Sequence, residues 1–225
     1  MIRVLIADDH PVVRLGLKLI LEKEADISVS NQARTAREAL ELVDNMDFDI
    51  VLLDISLPDR NGLEVLHQLK NEHPEIHVLV ISMHSEDLYA VRVLKEGASG
   101  YLTKDSAPEE LVKAVRKVLS GGKYVSSSLA EKLAYGLTSD SDHPPDQSLS
   151  NREFQVMCMI ASGKTIKGIS NELYLSGKTV STYRARVLKK MNLKNNAELI
   201  SYSIKNNLII YLCYLIPAIS EFFLM

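Results

Sequence analysis

Ile2-Arg3-Val4-Leu5-Ile6-Ala7 runs directly into Asp8-Asp9, and Ile50-Val51-Leu52-Leu53 runs into Asp54. Two short apolar runs, each ending in a carboxylate, decide the fold. Working outward, Val78-Leu79-Val80-Ile81 leads to Ser82, and Gly100-Tyr101-Leu102-Thr103 leads to Lys104. Such runs read as buried strands, predicted near 2–7, 27–31, 49–53, 77–81 and 99–102. Helical spacing places helices near 11–22, 35–45, 62–71, 86–95 and 107–119. Strict alternation implies an α/β domain, its parallel sheet covered by helices on both faces. Right-handed crossovers then give the strand order 2-1-3-4-5. Pro58, Asn61-Gly62, Gly97 and Gly121-Gly122 supply the turns.

The C-terminal ends of the strands in such a sheet converge on one crevice. Asp8, Asp9, Asp54, Ser82 and Lys104 are therefore expected together. Three carboxylates, a hydroxyl and an ammonium suit a divalent cation, a phosphoryl group and an attacking carboxylate. Asp54 is the candidate nucleophile, because a carboxylate accepts a phosphoryl group as an acyl phosphate. Bringing that anion to a phosphodonor requires charge neutralisation, which Mg²⁺ provides with few carboxylates. Asp8 and Asp9 are suited to hold the ion, Lys104 to pair with phosphoryl oxygens, and Ser82 to donate to one of them. Taken singly these residues read blandly: Asp8-Asp9 as a helix cap before Pro11, Ser82 and Lys104 as loop residues. All five in register favour the functional reading.

The 225 residues carry a net charge of −3, which hides an asymmetry. Residues 148–207 hold ten Lys/Arg and three acids, whereas 1–147 hold 16 basic and 25 acidic residues. An acidic front and a basic back argue for two functions, the second with a polyanion as partner. Cys158 and Cys213 lie far apart in apolar contexts and read as buried thiols. No basic stretch followed by an apolar one opens the chain, so a cytoplasmic location is expected. The expected division is 1–121, a linker over 122–147, a helical domain over 148–207 and a hydrophobic tail over 208–225. Ser126-Ser127-Ser128 is placed to cap a short helix over 129–137, and Ser139 to Asp146, with Pro144-Pro145, has little to bury.

Four further helices are predicted near 151–162, 165–173, 177–191 and 196–206. Within them, Ile166 to Leu173 reads as a first helix, Tyr174-Leu175-Ser176-Gly177 as a turn, and Lys178-Thr179-Val180 as the start of a second. The apolar inner stripe is Val180, Tyr183 or Arg184, Val187, Leu188 and Met191. Ser181, Thr182, Ala185 and Lys189 project outward, while Lys178, Thr179 and Arg186 are suited to phosphates. Lys164 and Lys167 add candidate backbone contacts from the preceding helix. A lysine-rich helix alone reads as merely solvated; the turn spacing and local positive charge favour DNA. Gly168 is costly there by about 1 kcal/mol relative to alanine. The small outward residues point to modest direct readout, leaving more to thymine methyls and DNA shape.

On these motifs the chain resembles the receiver domain of two-component response regulators. Ser150-Asn151-Arg152-Glu153 through Lys178-Thr179-Val180 to Lys189-Lys190-Met191 resembles the LuxR-type helix-turn-helix output of the NarL/FixJ subfamily. The resemblance covers roughly residues 1–207. It implies a doubly wound, flavodoxin-like (βα)5 receiver followed by a small all-α helix-turn-helix domain. It also implies a sensor histidine kinase that phosphorylates Asp54, and Mg²⁺ held by Asp8, Asp9, Asp54 and the backbone carbonyl of Ser56. The implied output is transcription control through promoter DNA, by a homodimer formed on phosphorylation, with no enzymatic role. In this family the hydroxyl residue, here Ser82, moves toward the phosphoryl group and an aromatic turns inward. Tyr101 holds the aromatic position and is expected to start outward. Ser56 and His84 fall where phosphate lifetime is tuned. Asp105 follows Lys104 where many receivers have proline; a cis bond before a non-proline costs about 3–4 kcal/mol, which leaves that isomer open.

Two rival readings stand beside this one. One is a constitutive DNA-binding factor whose receiver only dimerises, which loss of Asp9, Asp54 or Lys104 would have signalled. The other is a phosphotransfer enzyme on a small substrate, which leaves the basic domain unexplained. Beyond Asn207 the resemblance stops. The tail reaches the lower edge of a membrane span, but Pro217 and Glu221 interrupt it. An added dimer helix and a membrane-surface segment compete with a frameshifted or read-through end without function. The last is favoured, because nothing in the regulator mechanism calls for the tail, and membrane association is expected to be absent.

Overall fold

The computed structural model describes residues 1–83, 86–127, 129–131, 145–206 and 208, in two compact units divided between His143 and Pro144. In the first unit the order is β1 (Ile2–Ala7), α1 (Pro11–Leu21), β2 (Ile27–Ala33), α2 (Ala36–Asn45), β3 (Ile50–Asp54), α3 (Gly62–Glu72), β4 (His77–Ser82), α4 (Glu86–Lys95), β5 (Gly100–Thr103) and α5 (Pro108–Leu119). The five strands pair in parallel in the predicted order β2-β1-β3-β4-β5. β3 is buried along its whole length, consistent with helices on both faces. Val4, Ile6, Leu52, Leu79 and Ile81 pack with Leu111, Val115 and Val118 of α5 into one core. β3 runs one residue later than predicted, so Asp54 is its last member and pairs with Ile81 rather than hanging in the loop.

Local chemistry explains the boundaries. Pro11 and Pro108 open α1 and α5, where the missing amide hydrogen costs nothing. Thr35 caps α2 by accepting from Glu38 N, and Asn61 caps α3 by accepting from Leu63 N. Ser126 Oγ accepts from Leu129 N, so the predicted cap forms; residues 132–137 of that helix lie outside the described residues, as do His84, Ser139 to Pro144, Cys213 and the tail beyond Leu208.

The second unit holds a short 3-10 turn (Pro145–Ser148), α6 (Asn151–Ala161), α7 (Ile166–Glu172), α8 (Gly177–Lys190) and α9 (Asn196–Lys205). Phe154, Val156, Met157, Ile169, Val180, Val187 and Leu199 form its interior. Cys158 is a buried free thiol. Gly168 is helical, and its amide donates to the Thr165 cap at 3.1 Å. No helix among the described residues is long and apolar enough to cross a membrane.

α6 begins with a capping box: Ser150 and Glu153 each bond the other's backbone amide. Glu153 is 3% exposed and also accepts from Lys190 Nζ of α8 at 2.6 Å, so one carboxylate fixes a helix start and joins two helices. Burial alone would raise its pKa; Lys190 and the Ser150 hydrogen bonds outweigh that and hold it below the usual glutamate value. A lowered folded-state pKa contributes stability above the unfolded value and loses it as pH falls through the folded one. Glu153→Ala is expected to cost the second unit about 1–2 kcal/mol at neutral pH. The gap between parent and variant should close as pH falls below 4.5. Denaturant-dependent hydrogen exchange of α6 amides in the full chain measures both; a pH-independent gap would contradict the assignment.

Candidate functional site

The crevice forms as predicted at the C-terminal edge of the sheet. Asp54 is 2% exposed; its Oδ1 accepts from Ser56 N at 3.1 Å and its Oδ2 from Lys104 Nζ at 2.7 Å. The same ammonium lies 2.7 Å from Asp8 Oδ2, in a side chain only 4% exposed. Lys104 N donates to the Ser82 carbonyl at 2.9 Å, joining the end of β4 to the loop after β5. Ser82 is fully buried. Asp9 is about one-third exposed and lies beside His10. All of the expected crevice residues are brought together.

Burial pushes the Asp54 carboxyl up and the nearby Asp8 charge adds to this, against Lys104 and Ser56 N, which pull it down. Burial would lower Lys104, but Asp54 and Asp8 overcome it and raise its pKa. The ammonium therefore stays charged while the carboxylates remain short of compensation. Asp8 Oδ2 is buried, and its contact is the Lys104 ammonium 2.7 Å away, which it shares with Asp54. Asp8, Asp9, His10 and Asp54 offer ligand atoms all within 4.8 Å of one another. Three acids outnumber the Lys104 ammonium and the Arg14 guanidinium on the Asp8 carbonyl, which leaves the crevice net negative. Hard oxygen donors of this kind fit a magnesium ion.

Three contributors escaped the sequence reading. Arg14 is 7% exposed, and its Nη1 donates to the Asp8 carbonyl at 2.6 Å, which pins the Asp8-Asp9 backbone together with Asp8 N to Ala33 O at 3.1 Å. His10 Nδ1 sits 2.6 Å from Asp9 Oδ1. Gly62 looked like turn punctuation, but a Cβ there would lie 2.3 Å from the Asp54 carbonyl oxygen and 2.6 Å from Ile55 Cα. The start of α3 presses on the loop that carries Ser56, and only glycine permits the approach. The spacing Arg14 to Asp8 was the available signal for the first; nothing in one sequence flags the third.

Tyr101 corrects an expectation. It does not start outward: it is 1% exposed, and its hydroxyl hydrogen-bonds Ser82. Tyr101 N donates to Tyr124 O at 3.0 Å, so the chain after α5 covers the edge of the strand that carries it. Burial pushes its phenol far above the usual range. The Lys104–Asp105 bond is trans, which closes the isomer question.

In the second unit Lys164, Lys167, Lys178, Ser181, Thr182, Ala185, Arg186 and Lys189 are exposed, with Val180, Val187 and Met191 turned inward. Thr179 is half-buried, its hydroxyl 2.8 Å from the Ser176 cap. Lys164 pairs with Glu172, and Arg184 Nε is held by Asn196 Oδ1 at 2.6 Å. The Ser181 and Thr182 hydroxyls donate to the Gly177 and Lys178 carbonyls at 2.8 and 3.0 Å. Tyr174, in the turn, adopts φ 53° and is exposed.

Comparison with known proteins agrees with both halves. The response regulator receiver domain family matches residues 4–116, and the luxR family of bacterial regulatory proteins matches residues 147–203. The chain is 36% identical over 209 residues to the response regulator UvrY of Escherichia coli, covering 92% of this chain and 96% of that one. It is 36% identical over 210 residues to the response regulator GacA of Pseudomonas aeruginosa, covering 93% and 98%. A solved structure of RcsB from Salmonella enterica serovar Typhimurium, bound to promoter rprA in the presence of phosphomimetic BeF3-, matches with TM-score 0.65 at 26% identity, over 89% of this chain and 97% of that chain.

Gly62→Ala is expected to force the Asp54–Ser56 backbone aside, at a cost of about 1–3 kcal/mol in receiver stability. Thermal unfolding of the full chain tests this. A variant as stable as the parent would mean the loop yields freely.

Proposed function

The chain belongs to the two-component response regulators that join a receiver domain to a LuxR-type DNA-binding domain, and from that premise we propose how its own residues divide the work. It regulates transcription by binding DNA under the control of a phosphorelay. Asp54 is the phosphoryl acceptor: one of its carboxylate oxygens bonds to phosphorus as the bond to the donor's imidazole nitrogen breaks, and that electron pair stays with the imidazole. The donor is a sensor histidine kinase. Asp8, Asp9, Asp54 and the Ser56 carbonyl would hold a magnesium ion, which when bound would neutralise charge as the two anions approach. Lys104 exchanges one carboxylate for a phosphoryl oxygen, and Ser82 donates its hydroxyl hydrogen to another. The observation that carries this reading is the Lys104 ammonium shared by Asp8 and Asp54 at 2.7 Å each.

The output follows from the second unit. Lys178, Arg186, Lys164, Lys167 and Thr179 meet phosphates of double-stranded promoter DNA, while Ser181, Thr182, Ala185 and Lys189 face the groove. One such unit reads few base pairs, so phosphorylation acts by assembling a homodimer on paired half-sites. The RcsB structure bound to promoter rprA supports the DNA reading. The working division is a receiver over 1–121, a linker over 122–147 and the DNA-binding domain over 148–207, without catalytic turnover of a substrate, in the cytoplasm.

Incubation with Mg²⁺ and acetyl phosphate should add one phosphoryl group to the parent and none to Asp54→Asn, read by intact mass. Equal incorporation in both would remove Asp54 from its role. For the second unit, Lys178→Ala should weaken binding to all DNA sequences alike and reduce the salt slope of log K by roughly 1. Thr182→Ala should instead reorder sequence preference at unchanged slope. Titrations against a preferred and a scrambled site at several salt concentrations separate the two; a lysine variant that alters preference alone would reverse the assignment.

A further inference from the structure

The chain just after α5 does not leave the receiver as a free linker. Gly100 and Tyr124 form a parallel bridge, Tyr124 N donates to Ser99 O at 3.0 Å, and Tyr124 O accepts from Tyr101 N at 3.0 Å. Gly100 permits this: a Cβ there would lie 2.6 Å from Tyr124 O. Lys123 Nζ donates to the Ala98 carbonyl, and Lys117 Nζ of α5 sits 5.8 Å from the Tyr124 ring centre. Two residues on, Ser126 grips Glu86, the first residue of α4. Ser126 N donates to one carboxylate oxygen at 2.9 Å and its hydroxyl to the other. That hydroxyl also caps the following turn, in which Leu129 is 1% exposed. A cavity of about 350 Å³ remains beneath, lined by Glu86, Tyr101, Thr103, Tyr124 and Ser126 among others.

We infer that Lys123 to Ser127, with Leu129 to Glu131, form an intramolecular latch on the α4–β5–α5 face, fastened by Glu86 and Ser126, and that phosphorylation of Asp54 tightens it through Ser82 and Tyr101. The inference rests on Asp54 as the acceptor. A serine hydroxyl has one hydrogen to give and two lone pairs to receive with. When Ser82 gives its hydrogen to a phosphoryl oxygen, its oxygen is left as the acceptor for the Tyr101 hydroxyl, and the two bonds polarise each other. Tyr101 is thereby held inward. Its backbone carries Tyr124, and it lines the same cavity as Glu86 and Ser126, so the inward pose and the docked segment share one surface. Whatever favours one favours the other by the same factor. The start of the interdomain segment is then fixed in direction when Asp54 is modified.

Hydrogen exchange by NMR on the full chain, with and without Mg²⁺ and acetyl phosphate, tests this, with phosphoryl uptake followed by intact mass. Without phosphodonor, Ser126→Ala should speed exchange at the Tyr124 amide by about tenfold, the effect of losing about 1.4 kcal/mol. Glu86→Ala should do the same. Phosphorylation of the parent should slow exchange at the Tyr124 and Ser126 amides several-fold, and this slowing should vanish in Glu86→Ala. Unchanged Tyr124 exchange in Ser126→Ala would show that Glu86 and Ser126 do not fasten the segment. Confirmed phosphorylation with unchanged or faster exchange would overturn the coupling. A parent that takes up no phosphoryl group would instead overturn the reading of Asp54, and the coupling with it, while the unphosphorylated variants still decide the latch.

Discussion

Lys104 ties together the ends of four strands, two through its ammonium and two through its backbone. It lies 2.7 Å from Asp54 at the end of β3 and from Asp8 just past β1, while its own backbone amide bonds the last residue of β4 and its chain continues β5. Removing one partner of such a buried pair costs about 3–5 kcal/mol, yet replacing the whole cluster by apolar groups is often neutral or stabilising. Stability alone does not explain its presence. The cluster is under-neutralised where, on the proposed function, a cation and a phosphoryl group enter, and packing alone does not call for that state.

Much of this was legible in the sequence because parallel strands announce themselves twice. The runs at 2–7, 50–53 and 78–81 are too short and too β-branched for helices, and each ends in a polar residue that a buried strand would not tolerate mid-run. The topology then brings Asp8, Asp54, Ser82 and Lys104 together with no further information. The helix-turn-helix was legible for a different reason: two helical patterns, Ile166 to Leu173 and Lys178 to Met191, flank the turn Tyr174-Leu175-Ser176-Gly177 in a locally basic stretch.

What escaped the sequence depends on distances between backbones rather than on residue type. Gly62 is a turn glycine by spacing and a clearance glycine by structure, and the difference is the 2.3 Å between an absent Cβ and the Asp54 carbonyl. Arg14 shares α1 with one other charged residue, the half-buried Lys18, and nothing in the sequence shows that it folds under Asp8. Tyr101 was misplaced because its partner, Tyr124, lies in a stretch that composition labelled a linker. A segment with little to bury can still lend its backbone to a sheet edge, and hydropathy does not report that.

The hydroxyls of Ser181 and Thr182 are bonded to their own helix through the carbonyls of Gly177 and Lys178. On the proposed interface, a base that offers no partner leaves them where they already are. Strong discrimination arises when a mismatch strands a buried polar group, and here the helix provides a fallback. The expected result is a forgiving reader whose target promoters form a graded series in occupancy, ordered by how well each site competes with the helix for two hydrogen atoms.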